Sequence, residues 1–174
     1  MARVIDMPRG PSLNIGNASG VTSFTEGEGV YRTLITVNST LPAIAGGASL
    51  GVGKALITFP AGVIRVYGAY MSMSVKQTTG NITADTPDGG LGTTIASGAV
   101  ATLDGTAAFE NILTGQTFND CDGTAEVAHV TTDLTIAAAD SHIVYFNIAD
   151  GWAASGDTGA LLTGTVGILW AKMD

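Results

Sequence analysis

The stretch GGASLGVGKAL, residues 46–56, has the residue types of a phosphate-binding loop: glycines that let backbone N–H groups approach an anion, then Gly53-Lys54. A P-loop requires Gly, four residues, then Gly-Lys followed by Ser or Thr, set between a strand and a helix. Here Ala48 stands at the first glycine position, and Ala55 stands where a hydroxyl would hold magnesium. The residues that follow, ALITFPAG, are strand-like and break at Pro60. The segment therefore reads as a glycine loop entering a strand, with Lys54 a surface charge.

The remaining reactive residue types form no constellation either. Asn119-Asp120-Cys121-Asp122-Gly123 resembles the start of a calcium loop, but the oxygen ligands do not continue and no Glu falls at the twelfth position. Asp85, Asp88, Asp150 and Asp157 could offer oxygen at loop ends, without the six or more converging oxygens of a hard-cation site. His129 and His142 lie in strand-like runs, and no His-x-x-x-His or Cys-x-x-Cys pair exists for zinc. Cys121 is the single cysteine, so an internal disulfide cannot form; it reads as a buried thiol rather than a nucleophile. Of the aromatics, Trp170 and the tyrosines read as core anchors. Trp152, in the loop-like NIADGWAASGD, is the candidate for surface contact. No catalytic, metal or cofactor site is expected, and the chain is not expected to be an enzyme.

The elements that must carry these residues are strands. The chain of 174 residues has 24 glycines, is 45% hydrophobic and only 13% charged, which suits one domain of short strands and tight turns. Strand patterns occur at residues 30–37, 54–59, 63–75, 93–103, 124–136, 142–148 and 161–171, with Gly68 marking a bulge. Turn signals lie between them: Thr79-Gly80-Asn81, Pro87-Asp88-Gly89-Gly90, Asp104-Gly105, Asp122-Gly123, Asp150-Gly151 and Gly156-Asp157. Only residues 107–115 could make a short helical turn. This predicts an all-β fold, an antiparallel β-sandwich of the jelly-roll kind over residues 20–174, with residues 1–19 an extended, proline-punctuated N-terminal arm.

A net charge of −8 with seven Lys and Arg argues against nucleic-acid binding. No run reaches the roughly 18 apolar residues of a membrane helix. The first residues lack the apolar core of a signal peptide, so synthesis in a reducing cytoplasm is expected.

The segments LPAIAGGASLGVGKALITFPAGVI, ADTPDGGLGTTIASGAVATLDGTAAFENILTGQTFNDCDGTA and NIADGWAASGD resemble a group of small structural proteins of tailed bacteriophages, encoded near the major capsid protein. The resemblance runs from Leu41 onward and brings no catalytic residues with it. It implies a capsid decoration or cement protein on the outside of the virion head, made in the bacterial host cytoplasm and partnered by the major capsid protein. On that reading Arg3, Val4, Ile5 and Arg9 of the arm are the expected capsid contacts. The acidic body suits the outer surface, and the many small residues suit a homotrimer. A tail or baseplate component, or a host-receptor or glycan-binding module using Trp152 and loop acids, are the alternatives.

Overall fold

In a computed structural model, residues 15–46, 50–98, 102–103, 108–152 and 156–173 are described. Among them are eleven strands and no helix: β1 (Gly16–Asn17), β2 (Val21–Glu28), β3 (Val30–Thr40), β4 (Gly51–Thr58), β5 (Ile64–Lys76), β6 (Asp88–Gly92), β7 (Ser97–Gly98), β8 (Leu113–Thr117), β9 (Asp122–Ile136), β10 (Ile143–Ala149) and β11 (Leu161–Lys172). They form two antiparallel sheets packed face to face. Sheet A has the order β1-β4-β10-β6-β8, with β7 paired to β4; sheet B has the order β2-β3-β11-β5-β9. Without β1, β2 and β7, the orders β4-β10-β6-β8 and β3-β11-β5-β9 are those of a jelly roll. The expected fold class is correct.

Between the sheets lies one core. Ile35, Val37, Leu56, Ile64, Met71, Phe146, Leu162 and Val166 fill it, and Trp170 anchors it between Tyr31 (4.9 Å) and Phe59 (5.0 Å). The Trp170 indole N–H donates to the buried Thr33 hydroxyl at 2.8 Å, so the largest apolar side chain brings its one polar atom to a partner.

Several local expectations change. Among the described residues of the expected 93–103 strand, only Ser97–Gly98 pair, with β4, and strand β6 lies earlier. Pro87-Asp88-Gly89-Gly90 runs into strand β6 rather than a turn. Gly89 is needed there because a Cβ would press on Phe118 (2.5 Å) and Phe146 (3.0 Å). These glycines mark close packing, not chain reversal. Residues 108–112 form turns and bends and lead into β8, with no helical turn. Asp104-Gly105 lies outside the described residues. The Gly68 expectation holds: register shifts between Val66 and Gly68, with one extra residue on β9 opposite Tyr67. At the other boundary, Gly16 and Asn17 pair with Thr58 and Ile57, and Ile15 and Ala18 pack against the core. The end of the expected arm thus belongs to the sandwich; residues 1–14 lie outside the described residues.

The two outer faces differ. Strands β4, β6 and β10 are largely buried, because described residues on the outer face of sheet A, Ala96, Leu103 and Phe109, form a second small core with Ala149 of β10. Strand β3 instead alternates between exposed residues and buried or half-buried ones, so sheet B turns a bare face outward.

Candidate functional site: an exposed sheet face

The groups with chemical potential are dispersed over the fold rather than gathered at one site. Cys121 is buried, its thiol donates to the Asp85 carbonyl, and burial with the nearby carboxylates of Asp85, Asp120 and Asp122 pushes its pKa up to about 12. It is a protonated core thiol at neutral pH. His129 lies exposed on β9 in sheet B, while His142 leads into β10 in sheet A, so the two belong to different sheets. Lys54 sits mid-strand in β4 opposite Phe146, partly buried, rather than at the head of a helix.

The acidic loops bind their own chain. Asp157 is buried, and its carboxylate accepts N–H bonds from Thr78 (2.8 Å), Thr79 (3.0 Å), Gly80 (3.0 Å) and Gly159 (2.8 Å), plus the Thr78 hydroxyl at 2.9 Å. Burial alone would raise its pKa, but these backbone bonds outweigh it and hold the carboxyl well below the ordinary range. The three successive N–H groups form an anion nest that Asp157 fills. Asp122 accepts from the Thr124 N–H at 2.7 Å within the first residues of β9, around Gly123 at φ 104°. Asp85 is buried, Asp88 lies within β6, and Asp150 adopts a left-handed turn with Gly151 (φ 65° and 63°). Among the described residues, no group of three or more His, Cys, Asp or Glu could hold a metal ion.

Trp152 corrects an expectation. It is 2% exposed, and its indole N–H donates to the Leu50 carbonyl at 2.8 Å. The ring is core, not a contact surface, because the loop that carries it folds back onto the start of β4. Arg3, Val4, Ile5 and Arg9 lie outside the described residues.

What the fold does present is the outer face of sheet B. Phe24 (63% exposed), Val30, Leu34, Tyr70, Val127 (69% exposed) and Leu169 all project from it. Register places Phe24 beside Leu34, Leu34 beside Gly167, and Gly167 beside Tyr70, one row crossing four strands. A Cβ on Gly167 would enter the Tyr70 ring, so glycine lets that ring lie flat across β11. Two ion pairs lie on this face: Arg32 with Glu26, and Arg65 with Asp133 through two 2.7 Å bonds that hold the Asp133 carboxyl below its ordinary range. The signal was present in the sequence, since Phe24, Leu34 and Leu169 are apolar residues on the polar side of their alternation. Which strands lie side by side was not.

No family model matches the chain, and no curated protein matches it. A solved structure described as "CBM4 structure and function" is similar at a TM-score of 0.33 and 11% identity, over 88% of this chain and 80% of that one.

Proposed function

We propose that this protein is a structural protein that acts by adhesion: a decoration or cement protein on the exterior of a tailed-phage head. The observation that supports this reading is the bare apolar face of sheet B on a tightly packed sandwich, with Cys121 buried and Asp157 bonded to its own chain. An adhesive protein needs a stiff body with an apolar surface, and contiguous exposed apolar patches mark such surfaces. The resemblance of residues 41 onward to phage structural proteins supplies the setting. The acidic body fits the outside of a shell whose interior holds DNA.

The contact with the major capsid protein is assigned to the arm, through Arg3, Val4, Ile5 and Arg9. Because Gly16 and Asn17 pair with β4, the test removes residues 1–14 and leaves β1 in place. The truncated protein should keep its near-ultraviolet circular dichroism and fail to co-sediment with heads that lack their decoration. Undiminished co-sedimentation would refute the arm contact. Cryo-electron microscopy of the intact virion, with this density assigned, tests the head location; density on the tail or baseplate would overturn it. The glycan-binding alternative rested on Trp152 and loop acids; Trp152 is buried, and the Asp157 carboxylate is taken up by its own chain.

A further inference from the structure

We infer that the occupant of the outer face of sheet B is a second copy of this chain, seated face to face. This deepens the adhesive reading above and rests on it. The charge distribution carries the argument. The face holds four carboxylates (Glu26, Glu28, Asp122, Asp133) and three cations (Arg32, Arg65, Lys76), so it bears one of the chain's eight net negative charges. Three of those carboxylates already have a cation beside them: Glu26 with Arg32, Asp133 with Arg65, and Asp122 with Lys76. A partner chosen by charge would find little unmatched charge to recognise. Two copies of an acidic protein, by contrast, can approach only where their charge is lowest, and this face meets that condition.

Shape agrees. The Tyr70 ring lies over Gly167, and Ser72, Thr165 and Gly68 flank it, so the middle of the face is low and smooth. A two-fold axis running along β11 sets β3 against the partner's β5 and β2 against the partner's β9. Leu34 then meets Tyr70, and Phe24 meets His129 with Val127 one row away, each contact occurring twice. Five strands about 4.8 Å apart, over about eight residues of about 3.4 Å each, span roughly 19 by 27 Å in plan. Side-chain relief raises that area towards the roughly 800 Å² per partner of a standard interface. Such a contact is isologous and gives a dimer, in place of the trimer that composition suggested.

The test uses the full chain in light scattering and sedimentation equilibrium. The expected species has twice the 17.5 kDa chain mass, and it tightens as salt rises because salt screens the repulsion between two acidic bodies. Phe24→Asp and Leu34→Glu should each weaken association at least about 100-fold with near-ultraviolet circular dichroism unchanged. Ile95→Asp, at a 45% exposed apolar residue outside sheet B, should leave the dimer intact. A monomeric or trimeric wild type, or a dimer indifferent to both face substitutions, would overturn the inference. Head co-sedimentation is read separately: a monomeric wild type that still binds heads removes the dimer and leaves the proposed function standing, and a dimer that does not bind heads does the reverse.

Discussion

Asp157 concentrates the stabilising chemistry of the molecule at one carboxylate. It ties residues 78–80 to the 156–159 loop, and its own N–H and carbonyl bridge to Ile44 at 3.0 and 2.8 Å. Asp157→Asn places an amide NH2 where donors already converge, so we expect a loss of about 2–4 kcal/mol in urea denaturation at pH 7. The folded pKa lies below the unfolded value of 3.8, so the stabilisation is present above pH 4 to 5 and is lost as pH falls towards the folded pKa. The wild-type advantage over Asp157→Asn should therefore shrink between pH 5 and pH 2. A gap that stays constant with pH would show that the carboxylate charge contributes nothing. From the sequence, Asp157 was one of several acidic turn residues; its nest is built by residues almost eighty positions earlier, which no local pattern reveals.

At the scale of elements, the two sheets solve opposite problems. Sheet A is covered on both sides, and Asn147 holds the cover in place. Its carbonyl oxygen accepts the Ala96 N–H at 2.8 Å, while its amide donates to the Thr94 and Phe109 carbonyls at 2.8 and 2.7 Å. Gly53 on the adjacent strand leaves room, since a Cβ there would meet Ile95 at 2.5 Å and the Asn147 oxygen at 2.6 Å. Asn147→Ala strands three backbone groups in an apolar layer, so we expect a loss of about 2–4 kcal/mol and faster amide exchange at Ala96. Unchanged exchange at Ala96 would mean that the cover is held by its apolar contacts alone. The alternation of β3 and the continuous apolar character of β10 were legible in the sequence. The reason for the difference was not, because the cover comes from a segment that reads as a strand followed by turns.

For the whole molecule, the connectivity matters most. The two last strands occupy inner positions, β10 between β4 and β6, and β11 between β3 and β5. Neither sheet is complete until the end of the chain is in place, so unfolding should be a single cooperative event. Trp170 reports on sheet B, and Trp152 on the start of β4 in sheet A. Fluorescence of Trp170 in Trp152→Phe, of Trp152 in Trp170→Phe, and far-ultraviolet circular dichroism of each variant should give coincident urea transitions within that variant. Separate midpoints for the two probes within a variant would show that the sheets unfold independently. At the same scale, the bare face of sheet B remains the one extended apolar surface among the described residues, and its nearly balanced charge sets it apart from an otherwise acidic body.

The sequence by itself determined the class of the fold. Alternation, β-branched runs and glycine turns are local properties, and they were enough to specify strands, an antiparallel sandwich and the bulge at Gly68. It also ruled out a P-loop, because Ala48 and Ala55 are wrong for that chemistry in any fold. Only the tertiary structure decided what Trp152, Asp157, Asn147 and the glycines of β6 do, since each is defined by partners distant along the chain. The exposed face belongs to the same category: its apolar residues come from five strands, and a sequence cannot show that they share one surface until the register has set them side by side.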